Sequence, residues 1–421
     1  MFVALRENGE YISLVENWKR SDLLVLRSNE NFLCPACHSK VQLKAGMKKT
    51  HHFAHLKGAE CSVKTEPESE YHLEGKRKLY RWFQAQGYKV QLEPFLPEIS
   101  QRPDLLVTAE DKRYAIEYQC SQIDYPLFKK RSDSYKNKGI VPIWILGAKW
   151  FKRQSTYSVR LSPFQWLFAT SFNQPFQPSI FYYCPDTSTF IKLSNLQPFT
   201  TSETFCTIQF HKENVHSFPN LLVPNQPTFT LQSLWVRKKH KWRASYFIYS
   251  SNHIASFLSS LYQNRIPPAH LPAEAGLPVR SAYWFHTPPM IWQMWMVLDL
   301  LLPLRVGDTF FFSKVMEVIS KRIASKHITV RHLPLIFHTQ YSLAVEEYLH
   351  LLVKAGKLKK LTQTKYQKTR EFQMPVNLEE AHTMDEALSK RLESVGKNEE
   401  LGMVKPNIGG GLNSKNLNFF L

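Results

Sequence analysis

The stretch "QRPDLLVTAEDKRYAIEYQCS", residues 101–121, sets Asp104, Glu117 and Gln119 into what otherwise reads as two buried strands joined by a short polar turn. In "AIEYQCS", the two-residue period of a strand puts Glu117 and Gln119 on one face with Ala115. Ile116, Tyr118 and Cys120 point to the other. An Asp at the start of one strand and a Glu in the next can meet at a sheet edge. Adjacent carboxylates both stay ionised only if a cation lies between them. Magnesium takes such hard oxygen ligands while keeping several waters. The bound ion can activate a water and neutralise charge at a phosphate. Asp104 and Glu117 are therefore expected to hold Mg²⁺ or Mn²⁺.

A second constellation lies upstream. "CPACHSKVQLKAGMKKTHHFAHLKGAEC" gives Cys34-x2-Cys37, then His51, His52, His55 and Cys61. A Cys-x2-Cys knuckle lets two thiolates reach one tetrahedral ion, and another Cys/His pair closes a structural zinc site. The expected ligands are Cys34, Cys37, His55 and Cys61, with His52 as the alternative to His55. Four good ligands leave no open position, so the expected zinc is structural and not catalytic.

Between these motifs, residues from about Ser69 to Gln86 carry helical periodicity. Glu70, Glu74, Arg77 and Arg81 form one charged stripe of i,i+3 and i,i+4 neighbours. Leu73, Leu79, Tyr80 and Phe83 form the core face opposite. Lys76 falls near the middle of that core face, with Ser69 and His72 beside it. A buried lysine is costly unless it meets an anion. Two destinations are open: its ammonium snorkels to solvent, or Ser69, His72 and Lys76 point together at the carboxylates or at a DNA phosphate.

The elements needed to position these groups follow in order from 66 to 147: helix, strand, strand, strand, helix, strand. Upstream, "MFVALR" and "EYISLV" flank an Asn-Gly signal, which predicts a hairpin with a tight two-residue turn. Of 421 residues, 54 are Lys or Arg against 35 Asp or Glu, a formal net charge of +19. This balance implies an anionic partner, nucleic acid first and an anionic membrane surface second. The N-terminus has charges where a secretory signal needs an apolar run, so a cytoplasmic protein is expected. The apolar run "MIWQMWMVLDLLLPL" from 290 to 304 is too short to span a bilayer and reads as a core helix. Three of the six cysteines are crowded at 34, 37 and 61, which suits a metal site better than disulfides.

Four of these segments, "ESEYHLEGK", "QRPDLLV", "AIEYQCS" and "RSDSYKNKGIVPIWIL", resemble the nuclease-like domain of the competence protein CoiA family. "CPAC…HHFAH…C" resembles that family's zinc-finger-like N-terminal part, so the likeness covers roughly residues 1–150. The resemblance implies a role in natural transformation and an α/β core of the PD-(D/E)xK nuclease superfamily, with element order αβββαβ. Asp104 then stands at the motif aspartate and Glu117 at the second acid, both metal-binding. Gln119 departs from the superfamily by standing where a lysine is usual; its amide can orient the attacking water but brings no positive charge. Lys76 would supply that charge from the helix, with His72 beside it in the catalytic group. Arg102, Arg131 and Tyr135 would contact DNA.

Beyond 150 the chain is rich in Phe, Pro, Ser and Thr, with short helices expected around 162–172 and 253–263. "DTFFFSKVMEVISKRIA" reads as a capped amphipathic helix. "SLAVEEYLHLLVKAGKLKKLTQTKYQKTREF" reads as a helix followed by a basic hairpin. That order suits a winged helix, with Lys357, Lys359, Lys360, Lys365, Lys368 and Arg370 available to phosphates, or equally a plain helical bundle. The expected domains are 1–65 (hairpin and zinc module), 66–150 (nuclease-like), 151–375 (mostly helical) and 376–421 (largely disordered tail). The expected function is metal-dependent hydrolysis of DNA phosphodiesters during processing or recombination of incoming DNA. The alternative is a non-catalytic DNA-binding or recombination-assisting factor on a degenerate nuclease fold. Expected partners are DNA and recombination proteins, with no membrane span.

Overall fold

The computed structural model describes residues 1–402 except 17, 48–49, 60, 62–67, 172–177, 215–216, 224–230, 246–251 and 337–339. Its centre is the αβββαβ unit: α2 Glu70–Ala85, β6 Lys89–Leu92, β7 Leu105–Ala109, β8 Lys112–Gln119, α3 Tyr125–Lys136 and β9 Ile140–Gly147. Strands β6, β7 and β8 run antiparallel, and β9 returns parallel to β8 through α3. Ser69 caps α2, its hydroxyl accepting from the His72 amide at 3.2 Å, so Ser69 serves the helix end and not the carboxylates. Leu73, Leu79, Trp82 and Phe83 are buried. Gly75 lets α2 lie directly on β8, because a Cβ there would come within 2.1 Å of the Tyr118 ring.

The sheet does not stop at residue 150. β9 pairs in parallel with β11 (Ile180–Cys184), and β12 (Thr189–Pro198), β13 (Glu203–Lys212) and β10 (Ser158–Arg160) extend it to eight strands in the order β10-β13-β12-β11-β9-β8-β7-β6. Both faces of β11 are buried, as an interior strand requires. The boundary expected at 150 is therefore a connection inside one sheet. Short helices α4 (Pro163–Trp166) and α5 (Phe218–Leu222) flank these strands.

Upstream, β1 (Val3–Arg6), β2 (Tyr11–Ser13), β3 (Phe32–Leu33), β4 (Lys40–Lys44) and β5 (His52–His55) form a five-stranded sheet against α1 (Arg20–Asn29). The first hairpin turns on three residues instead of the expected two. Arg6 N donates to Glu10 O at 2.8 Å, and Gly9 takes φ +86° to close the turn.

The C-terminal region contains α6 (Leu231–Ser245), α7 (Asn252–Gln263), α8 (Pro289–Met296), α9 (Phe312–Ala324) and α10 (Tyr341–Lys354). α8 is wholly buried and runs into a π-helical turn over Val297–Leu301, the apolar core segment the sequence predicts. β14 (Thr309–Phe311) precedes α9 and joins the hairpin β15 (Leu358–Lys360) and β16 (Lys365–Lys368) in the order β14-β16-β15. The expected side-chain cap of α9 is not made: Phe311 stands at the N-cap, while the Asp308 carboxylate accepts from Arg305 N at 2.8 Å. The disorder expected from 376 is replaced by α11 (Leu378–Gly402), whose Asp385 accepts from buried Arg243 at 2.8 and 2.9 Å. Residues 403–421 of that expected tail lie outside the described residues. Among the described residues no helix is long and apolar enough to cross a membrane.

Replacing Gly75 with alanine forces α2 away from Tyr118. Urea unfolding should show a loss of about 1–3 kcal/mol, the usual cost of overpacking.

Candidate active site and metal centre

The end of the β6–β7–β8 edge carries the site. Leu105 opposes Ile116 in the antiparallel register, so Asp104 and Glu117 stand opposite one another at the next step. Asp104 is fixed by the Tyr118 amide, which donates to its Oδ2 at 2.9 Å. Lys76 does not snorkel. It is 1% exposed, and its ammonium donates to Glu68 and Glu93 while lying 3.4 Å from Asp104 Oδ1. Burial opposes the Lys76 charge, but Glu68, Glu93 and Asp104 together hold its pKa well above the ordinary lysine value. Burial likewise opposes ionisation of Asp104 and Glu68, yet the Lys76 ammonium keeps both carboxyls well below the usual range.

Neither Glu68 nor Glu93 is anticipated by the sequence reading. Glu68 precedes the α2 cap. Glu93 follows β6 in the left-handed conformation, φ +48°, and also accepts from the Phe2 and Val3 amides at 2.8 and 3.1 Å. The His72 imidazole lies between two acids, Nε2 at 3.3 Å from Asp104 Oδ2 and Nδ1 at 3.7 Å from Glu68 Oε1. Glu68, His72 and Asp104 offer ligand atoms all within 4.8 Å of one another. Carboxylates with one imidazole suit Mn²⁺ better than Mg²⁺, which takes oxygen ligands.

This grouping leaves out Glu117, expected beside Asp104 on the ion. The Glu117 carboxylate is engaged from α3, where Arg131 donates at 2.6 Å and Tyr135 through its hydroxyl. Burial, with Asp104 adding to it, pushes the Glu117 pKa up to about 7 against the pull of Arg131 and Tyr135. Arg131 and Tyr135, expected at DNA, therefore serve Glu117. Arg102, also expected at DNA, is 7% exposed and lies with its guanidinium 3.0 Å from Met1 Sδ and 3.9 Å from Cys34 Sγ. Gln119 directs its amide nitrogen to Ser121 O at 3.0 Å. The acids with His72, Lys76, Arg102, Gln119 and Arg131, but not Tyr135, line a cleft of about 150 Å³, which Lys149 also lines from an exposed position just after β9.

The cysteine cluster sits on the other side of Arg102. The turn after β3 closes with His38 N donating to Cys34 O at 2.9 Å, which folds Cys37 back over Cys34. Sγ of Cys34, Cys37 and Cys61 and a ring nitrogen of His55 all lie within 4.8 Å of one another. A tetrahedral ion with bonds of about 2.0–2.3 Å needs ligand separations of roughly 3.5–4 Å, so the group fits one. Burial raises the Cys37 thiol, but hydrogen bonds from Ser39, His55 and Cys34 outweigh it and bring the pKa down to about 6. The alternative ligand His52 turns instead to Thr50 O, 2.9 Å from its Nδ1.

In the C-terminal region, Lys359 and Lys360 are exposed. Lys357 pairs with Glu274 at 3.2 Å, and Lys368 is buried against Glu371 and Leu304 O, so neither is presented as a phosphate contact.

Residues 68–226 match the family description "Competence protein CoiA, nuclease-like domain", residues 231–382 its C-terminal domain and residues 15–64 its N-terminal domain. The competence protein CoiA of Bacillus subtilis (strain 168) is 32% identical over 346 residues, 80% of this chain and 89% of that relative. The chain belongs to the competence protein CoiA family. No solved structure matches it. The nuclease-like match of this CoiA-family protein runs past residue 150 to 226, in step with the eight-stranded sheet.

Lys76→Met leaves Glu68, Glu93 and Asp104 without their shared cation. Breaking a buried ion network in this way costs about 3–5 kcal/mol. Urea denaturation at pH 7 should show that loss, and it should shrink at acid pH as the orphaned carboxyls protonate.

Proposed function

We propose that this CoiA-family competence protein is a cytoplasmic, metal-dependent deoxyribonuclease that hydrolyses phosphodiesters of incoming DNA. The observation that carries the reading is the convergence of Glu68, His72 and Asp104 at the edge of an αβββαβ core, with Glu117 opposite Asp104. Asp104, Glu68 and His72 would hold a divalent ion, Mn²⁺ or Mg²⁺, with Glu117 as the further acid. When bound, that ion would polarise the phosphate and lower the pKa of a water. Gln119, oriented by Ser121, would position the attacking water. Lys76 is committed to three carboxylates and so organises the acids instead of meeting the phosphate. Lys149 is the exposed cation of the cleft and would supply the charge that Gln119 lacks. Zinc in the Cys34, Cys37, His55, Cys61 group would be structural, anchoring the N-terminal sheet beside Arg102.

One observation favours the non-catalytic reading: Lys76 and Arg131 pair with the same acids and offset part of their charge. In either reading Lys359 and Lys360, on the exposed hairpin, would meet DNA backbone.

Of labelled single-stranded, double-stranded and branched DNA, at least one form should be cut in the presence of Mn²⁺ or Mg²⁺, and none by the Asp104→Ala/Glu117→Ala variant. Wild-type protein that takes up Mn²⁺ and never cuts would make the non-catalytic reading the correct one. A proton competes for Glu117 below its raised pKa. Mn²⁺ affinity, read by calorimetry, should therefore rise with pH up to about 7 and level off above it. Glu117→Gln should flatten that profile. Zinc analysis of protein purified without added metal should return about one equivalent, lost in Cys34→Ser.

A further inference from the structure

A second cavity, of about 510 Å³, lies between the nuclease-like sheet and the C-terminal region, and Ile123 lines both it and the metal cleft. One wall is the turn from Gln122 to Tyr125 with α4, and the other is the segment around Arg331. Arg331 is 6% exposed. Its Nη1 donates to the carbonyls of Tyr283 (3.1 Å) and Phe285, but its Nε and Nη2 find no acceptor among the described residues. The guanidinium lies 4.3 Å from the ring centroid of Trp166, another wall residue, whose own buried Nε1 also finds no acceptor.

The two other arginines buried as deeply have anions: Arg243 has Asp385, and Arg102 has Glu93 with the Cys34 thiol. Burial alone acts on Arg331 and lowers its pKa to about 9, with no acid offsetting it. A desolvated cation without a counter-ion is costly to keep, and two unsatisfied donors in the same wall call for an acceptor-rich anion. Exposed Lys326 adds positive charge at the same cavity, and exposed His332 stacks on Tyr125 with ring centroids 4.5 Å apart. The rest of the wall is mixed: Phe164, Leu167 and Ile291 are apolar, Thr287, Thr329 and His327 are polar, and the one acid, Asp124, is engaged in accepting from the Leu127 amide at 2.8 Å. The cavity volume falls in the range of small-ligand pockets, about 300–1,000 Å³, which admits nucleotides of one strand and excludes a duplex.

We infer that this cavity binds a phosphate of a single DNA strand at Arg331, with neighbouring bases against the aromatic wall, and so feeds that strand toward the metal cleft. The inference rests on the reading of the cleft as a DNA site, and it names the substrate form as single-stranded or with an unpaired end. Aromatic stacking beside phosphate-binding cations is the general means of holding single strands without sequence preference.

The test is fluorescence anisotropy of a labelled oligothymidylate and of a blunt duplex on the full-length protein across a range of KCl, with no divalent metal added. Arg331→Met should weaken single-strand binding about tenfold, the loss of one charge-assisted contact. It should also flatten the log–log salt slope by about 0.7, the value for one phosphate on a single strand, and leave duplex binding nearly unchanged. Single-strand affinity and slope equal to wild type, in a variant with wild-type thermal unfolding, would falsify the proposal. Should Arg331→Met not fold, the exposed variant Lys326→Glu decides in the same assay, by loss or retention of single-strand affinity. Thermal stabilisation by inorganic phosphate alone, with no gain from the oligonucleotide, would make this a small-anion site and overturn the strand assignment. Because no cleavage is read, single-strand binding that depends on Arg331 in the Asp104→Ala/Glu117→Ala background stands even where the nuclease reading fails.

Discussion

The buried ammonium of Lys76 is the constraint around which the nuclease-like domain is arranged. It cannot be desolvated without anions, and the three it finds come from three places in the chain: before α2, after β6 and before β7. The helix can settle on the sheet only when all three acids are in register. Glu93 also accepts from the amides of Phe2 and Val3, so the same charge balance seats the N-terminal strand on the site. Arg102 extends the link to Cys34. The cysteine cluster and the acidic cleft are thus two ends of one electrostatic assembly.

That assembly bears on the chemistry. Glu68, Glu93, Asp104 and Glu117 carry the negative charge, and Lys76, Arg102 and Arg131 carry most of its compensation. A divalent ion entering near Asp104 shares carboxylates with Lys76 and must be attractive enough to offset repulsion from it. The absence of a lysine at position 119 reduces that repulsion. Of the cleft's lysines, Lys76 is buried on α2, and Lys149 is exposed just after the end of β9. With a polar amide at 119 and no positive charge there, the proposed chemistry would depend more heavily on the acids being correctly ionised. Glu117, with its pKa pushed up to about 7, is the member nearest to a change of state.

The strand period and the Pro-Asp junction made β7, β8 and the acids legible, because a carboxylate on the inner face of a strand has few bland explanations. The helical wheel placed Lys76 inward correctly. What the wheel could not supply was its partners: Glu68 lies one residue outside the helix, and Glu93 is aimed by a left-handed backbone that strand alternation does not encode. Arg131 and Tyr135 were recognisable as one i,i+4 pair, yet whether they face acid or DNA is decided by the crossing of α3 over β8, a tertiary fact. The separation of β9 from β11 by a long irregular segment hid the continuation of the sheet. Composition suggested disorder after 376, but Asp385 accepts from the buried Arg243 and pairs with Lys239 at 2.8 Å, and His382 stacks on His240, which together hold α11 against α6.

A net charge of +19 implies an anionic partner without saying where it binds, since most of the lysines and arginines are solvated or already paired. Arg331 is unremarkable in "ITVRHLPL", and neither periodicity nor motif separates it from a surface residue. Its meaning comes from contrast within the fold. Arg102 and Arg243 are each buried with an acid or a thiol, and Arg331 is buried with carbonyls and an indole face. Carbonyl oxygens orient a guanidinium but do not cancel its charge. A protein that holds such a group at the wall of a cavity, next to an acidic cleft, has kept a place for negative charge that the described residues do not fill.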